Sequence, residues 1–183
     1  MRITRITVAA VCTAAAVTLA GCGSETTDGQ QHTHVGSDDH QVIEPLSPQQ
    51  TGADQTAITA LQMILSWQPA IDESKADALI RATAYLGGDL LAVAESGTRA
   101  EVRPDPDWQQ WAASKDAVAA TCVRADSTPA APDGMRTLVI DLTCTQTVLH
   151  AGGRSTRLTP QLWRTTVTRT DAGWRLIDYR FQQ

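Results

Sequence analysis

The stretch DAGWRLIDYRF, residues 171–181, decides how the C-terminal half is built. Asp171-Ala172-Gly173 is a turn signal, since glycine supplies the backbone freedom that a tight reversal needs. The residues after it read as a strand with two faces, because side chains alternate along an extended backbone. Ile177, Tyr179 and Phe181 form the more apolar face and are the expected core side, while Asp178 shares the other face with Trp174 and Leu176. A strand that follows a tight turn pairs with what precedes it. Here that is a Thr-rich run from about Arg157 to Thr170. Pro160 interrupts it and demands a bulge or an edge, because proline donates no ladder hydrogen bond.

Working back, Gly152-Gly153 is another turn, and Leu138, Ile140, Leu142 and Cys144 share one face opposite Asp141 and Thr143. Asp141 is therefore expected to face solvent. Pro132-Asp133-Gly134 turns once more, and Val118, Ala120 and Cys122 line one face of an earlier strand. The result is an antiparallel meander of about four strands.

Before Lys115 the apolar period is helical. Ile58, Leu61, Ile64 and Leu65 form a stripe after Asp54, read as an N-cap, with Met63 and Trp67 beside it and Pro69 as the stop. Ser74-Lys75-Ala76-Asp77 is a near capping box, with Asp where Glu is usual. Leu79, Ala82, Thr83, Leu86 and Leu90 follow at helical spacing, and Gly87-Gly88 bends or splits that helix. Asp105-Pro106-Asp107-Trp108 opens a third helix that places Trp108, Trp111 and Ala112 on one side. Helices first and then a meander give an α+β domain with the helices on one sheet face.

Cys122 and Cys144 are equally far from Asp133, the centre of the intervening turn, so the hairpin register sets them opposite each other. Both fall on the apolar face of their strands. An exported chain meets an oxidising compartment, and a disulfide is the expected state of such a pair.

Export is written at the N-terminus. Arg2 and Arg5 precede the uncharged apolar run Ile6 to Ala20, and Leu19-Ala20-Gly21-Cys22 follows. That run resembles the lipobox of bacterial lipoproteins. The resemblance implies acylation of the Cys22 thiol, cleavage after Gly21 and a lipid anchor on the extracytoplasmic face of the cell membrane. Two acyl chains hold stably where one is marginal. Residues 1–21 are then the signal peptide. Residues 22–53 are the acylated Cys and a polar tether, a flexible coil spanning on the order of 30 Å. Residues 54–183 are the domain. One domain is all that 183 residues comfortably hold. A net charge of -5 without a basic block excludes a duplex nucleic-acid binder.

Helices followed by a long meander ending in DAGWRLIDYRF resemble the nuclear-transport-factor-two-like superfamily, over about residues 54–183. That resemblance implies a cone-shaped fold, shared by polyketide-cyclase-type enzymes and by components of conjugation and type IV secretion. It implies either a pocket for a small apolar ligand or a protein partner in an envelope assembly.

Candidate chemistry is sparse. Tyr85, Trp163, Asp178 and Arg180 are the candidates for lining a ligand pocket, with Asp178 and Arg180 also reading as an ion pair. His150 lies at a strand end. His32, His34, Asp38, Asp39 and His40 offer metal-binding side chains in the tether, but without the supporting contacts that fix ligands only weak binding is expected. No Ser/His/Asp order, phosphate-binding glycine loop or HExxH is present, and no metal or cofactor is expected. The five tryptophans read mainly as core. Binding or assembly at the envelope is the expected role. A pocket isomerase or hydrolase of the cyclase type and a weak metal binder are the alternatives.

Overall fold

A computed structural model describes residues 47–97, 106–128 and 134–183. The leader, Cys22, the tether histidines and Asp105 therefore lie outside the described residues. Helices α1 (Ala53–Ile64), α2 (Ala76–Arg81), α3 (Gly88–Ser96) and α4 (Trp108–Ser114) precede strands β1 (Ala117–Arg124), β2 (Thr137–Leu149), β3 (Ser155–Arg157), β4 (Gln161–Thr170) and β5 (Gly173–Gln182). The sheet is antiparallel, in the order β1-β2-β4-β5, with β3 also on β2. This is the α+β class read from the sequence, with five strands rather than four.

The fifth strand comes from Pro160. Arg157 pairs with Thr147 and Gln161 with Cys144, so the register slips by one residue across the Leu158–Pro160 segment. The long Thr-rich strand is thus two strands on one edge of β2, with the irregularity where proline demanded it.

The packed chain starts before Asp54. Thr51 is buried, donates to the Pro48 carbonyl at 3.0 Å and shares a 2.9 Å hydrogen bond with Thr56. Gly173, at φ +99°, lets the β4–β5 turn approach Gln49, whose Cα would stand 2.9 Å from an added Cβ. Gly52, not Asp54, is the N-cap of α1. Asp54 instead lies in the first turn, where its carboxylate meets Arg124 at 3.1 Å. In the second helix Asp77 accepts from the Ser74 N–H at 3.0 Å, the back-reaching half of the box, although Asp is one carbon shorter than Glu. Gly87-Gly88 separates α3 from α2 and the 3-10 turn Thr83–Tyr85.

The core lies between α1 and the inner face of the sheet, with Ala57, Ala60 and Leu61 against Ile140, Leu142, Val167 and Leu176. Cys122 and Cys144 pair in register and are bonded, with Cα atoms 4.1 Å apart. Val118 exchanges both its backbone bonds with Trp67, outside the sheet. The even-numbered residues of β1 therefore form non-hydrogen-bonded pairs with β2, the closer kind, and this suits a cross-strand bridge.

The last strand departs from strict alternation. Thr166 pairs with Asp178 but Val167 pairs with Leu176, so Ile177 is a bulge residue. Trp174 and Leu176 join the core before the bulge and Tyr179 joins it after. The expected core face, Ile177 with Tyr179 and Phe181, is corrected: the bulge reverses the phase midway.

The 22-residue separation of the bridged cysteines predicts the effect of reduction. Urea unfolding with and without reductant should differ by about 3 kcal/mol, the loop-closure contribution of such a cross-link. Equal midpoints in both conditions would show that the bridge does not constrain the unfolded chain.

Candidate functional site

A cavity of about 630 Å³ opens between the inner sheet face and the helices, at the end where β4 begins and β5 finishes. Its aromatic lining falls into two packed groups, Trp67 with Trp111 and Trp163 with Tyr179 and Phe181. Leu65 and Leu79 add aliphatic surface, and the described polar lining is Lys75, Asp107, Gln146 and Gln161.

Each group is held by more than its own packing. The Trp67 Nε1–H donates to the Ile64 carbonyl at 2.9 Å, and its backbone is tied to β1. Lys75 Nζ lies 4.1 Å from the Trp67 ring centroid, within cation–π range. Trp108 and Trp111, spaced to share a helix face, pack on Trp67 with centroids 6.2 and 6.5 Å away. On the sheet side, Trp163 stands opposite Phe181 in register, their rings 5.6 Å apart and edge-on, with Tyr179 at 6.0 Å. The Gln146 amide donates to the Leu65 carbonyl at 2.7 Å, fixing the end of α1 to β2. Three apolar side chains at this cavity remain open to solvent: Ile80, Val93 and Phe181, at 37%, 47% and 50% exposure.

The sequence candidates separate. Trp163 lines the cavity. Tyr85 packs against the main core in the turn before α3 and is not part of the lining. Asp178 and Arg180 pair with each other at 2.9 Å with exposed side chains, and neither lines the cavity. The bulge at Ile177 is the reason, since it sends Tyr179 inward and its neighbours outward. Burial first, and then the nearby Asp178 charge, push the Tyr179 hydroxyl above its ordinary pKa.

Asp141 needs correction. It is on the outer face, as its strand phase required, yet it is buried. Arg164 grips its two carboxylate oxygens at 2.9 and 3.1 Å, and the Thr128 hydroxyl bonds both its backbone N–H and its carbonyl. The hydrogen bonds from Arg164 hold its carboxyl below the usual range, against an opposing effect of burial.

His150 belongs to a cluster that the sequence reading missed. Its Nδ1 lies 2.9 Å from Asp116 Oδ2, and its Nε2 lies 2.9 Å from Thr156 Oγ1. Asp116 is buried, also accepts from the Ala151 N–H at 3.2 Å, and donates its own N–H to the Trp111 carbonyl. The His150 hydrogen bond, foremost, holds the Asp116 carboxyl low. Lys115, at φ 58°, ends α4 in the left-handed region and puts Asp116 at the head of β1. A non-glycine residue there is uncommon, but φ is not written in a sequence. Among the described residues, no group of three or more His, Cys, Asp or Glu side chains could hold a metal ion.

No protein-family model and no curated protein matches the chain. Solved structures similar to it include CagV, a VirB8 homolog of the T4SS of Helicobacter pylori strain 26695, at 9% identity and a TM-score of 0.44, covering 71% of this chain and 95% of that one. VirB8 of Agrobacterium tumefaciens is similar at 8% identity and a TM-score of 0.41, over 76% and 95% of the two chains. The intermembrane space region of the chloroplast protein ARC6 follows at 15% identity and 0.34, over 72% and 97%. At these scores the likenesses carry no argument about activity or partners.

The depressed Asp141 pKa has a testable sign. A carboxylate held low in the fold contributes stability above its ordinary value, and that stability is lost as the pH falls through the lower folded value. The stability gap between the parent and Asp141→Asn, measured by urea denaturation, should be constant near neutrality and close below about pH 4. A gap that ignores pH would mean that Arg164 does not hold the charged form.

Proposed function

We propose that this protein is a lipid-anchored, extracytoplasmic binding module that takes a small, largely apolar ligand into the aromatic cavity. The observation that carries this reading is the cavity itself. Its volume of about 630 Å³ falls in the range of small-molecule sites, and a mostly apolar lining with a few polar groups is their usual composition. Apolar side chains left open at its edge add to the argument, since a cluster of them marks an interaction site.

The anchor rests on Leu19-Ala20-Gly21-Cys22 and the charged and apolar run before it. A disulfide in the domain is in keeping with an oxidising compartment. Among the described residues no helix is long and apolar enough to cross a membrane. Of the residues that the sequence offered for the cyclase-type alternative, Tyr85, Asp178 and Arg180 stand outside the cavity, whose charged lining is Lys75 and Asp107. Metal binding through His32, His34 and His40 concerns residues outside those described.

A second reading, docking of an envelope protein, is favoured by the outer sheet face. Val123, Thr143 and Leu162 form one cross-strand row there, with Val123 56% and Leu162 38% exposed. Val139, 52% exposed, lies on the same face beyond the Asp141–Arg164 pair.

Two experiments test the proposal. The soluble chain from residue 23, titrated with the apolar dye N-phenyl-1-naphthylamine, should show saturable fluorescence enhancement. Val93→Arg places a charge on a half-exposed lining position, so affinity should fall at least about tenfold with little change in melting temperature. Absence of binding by the parent, or equal binding by the variant, counts against the cavity. Separately, Cys22→Ala should abolish incorporation of a fatty-acid analogue, and equal label on both forms would remove the anchor.

A further inference from the structure

We infer that Asp116, His150 and Thr156 form an acyl-transfer site beside the cavity, which cleaves esters whose acyl chain the cavity receives. The substrate class rests on the apolar-ligand reading above. The site itself rests on its own geometry.

Nucleophilic catalysis by a hydroxyl needs three things in order: a hydroxyl, a base within hydrogen-bond reach, and a group that orients the base. Thr156 Oγ1, His150 Nε2 and Asp116 Oδ2 supply them through two contacts of 2.9 Å. Exposure runs in the matching direction. The Asp116 side chain is 7% exposed and His150 31%, while Thr156 is open to solvent. A buried carboxylate fixed by a backbone N–H favours the tautomer with hydrogen on Nδ1, and that leaves the Nε2 lone pair facing the Thr156 hydroxyl.

The hairpin also supplies a donor for developing charge. The backbone N–H of His150 donates to the Arg154 carbonyl and that of Leu158 to the Gln146 carbonyl, so Thr156 and Val148 form a hydrogen-bonded pair between them. By the alternation of an antiparallel ladder, the Arg157 N–H then points away from β2. Among the described residues no strand lies on that side of β3. The N–H following a nucleophile is a usual oxyanion donor.

The cavity is adjacent. Leu158, just past the end of β3, lines it and is two residues from Thr156, so about 7 Å along an extended backbone. Trp111, whose carbonyl receives the Asp116 N–H, lines it as well.

In the reaction, Thr156 Oγ1 attacks the ester carbonyl carbon while His150 Nε2 takes its proton. The carbonyl π pair moves onto oxygen, facing the Arg157 N–H. When that pair returns, the bond to the alkoxy oxygen breaks and the alcohol leaves with the proton from His150. Water, deprotonated by His150, then attacks the acyl-threonine, and the carboxylic acid leaves as Thr156 regains its proton. Ester and water give acid and alcohol, with His150 neutral again.

The full chain in detergent, assayed with p-nitrophenyl acetate and octanoate, should release nitrophenolate faster from the octanoate. Thr156→Val and His150→Asn should each cut turnover about 100-fold or more, the size of a general-base contribution, whereas Thr156→Ser should retain it. A fluorophosphonate should add to Thr156 in the parent, by peptide mass, and much more slowly in His150→Asn. Equal turnover in the parent and Thr156→Val, or no turnover with no adduct, overturns the inference. If that happens while the naphthylamine dye still binds, the cavity reading stands without the acyl-transfer site. If Thr156-dependent turnover is seen but Val93→Arg does not alter the preference for octanoate, the site stands and the cavity is not its acyl pocket.

Discussion

Strand β2 is the constraint on which the rest of the domain depends. It runs for 13 residues and is paired along both edges, with β1 on one side and β3 and β4 on the other. Backbone groups so placed leave little freedom to shift, and a one-residue slip would turn every inward side chain outward. Its inward residues do separate tasks along its length. Ile140 and Leu142 meet α1, Cys144 carries the bridge, Gln146 ties down the end of α1, and Val148 joins the second cluster with Trp67 and Ala78. His150 continues the same phase into the cluster with Asp116 and Thr156.

Two irregularities shape the part of this sheet that borders the cavity. The slip around Pro160 divides one long strand, leaving Leu158 and Gln161 at the cavity. The bulge at Ile177 lets Leu176 and Tyr179 both face the helices, which strict alternation forbids. Tyr179 and Phe181 thereby join Trp163 in one of the two aromatic groups that line the cavity, the other being Trp67 and Trp111. The same bulge sends Asp178 and Arg180 to the outer surface, where an exposed pair contributes at most about 1 kcal/mol.

Much of this was legible in the sequence. The cysteine register followed from one turn and its flanking periods, and the irregularity at Pro160 followed from a missing donor. Trp163 was a candidate because it sits on a strand beside the last turn. What could not be read was long-range or conformational. Nothing in DAGWRLIDYRF marks Ile177 as a bulge, and strict alternation puts Asp178 and Arg180 on the face of Leu176. Burial of Asp141 depends on Arg164, 23 residues away, and on the turn that brings in Thr128. The Asp116–His150 contact joins groups 34 residues apart, through a left-handed Lys115 that no pattern announces.

On the proposed reading, the aromatic cavity is the working part of the molecule and the sheet irregularities shape it. Crystals of the domain soaked with a brominated fatty acid ester test that claim most directly, through the anomalous signal of bromine. Bromine is expected within the cavity lined by Trp67, Trp111, Trp163 and Phe181, with the bridge and sheet register unchanged. Side chains closing the space, or bromine found only on the outer sheet face, would contradict it.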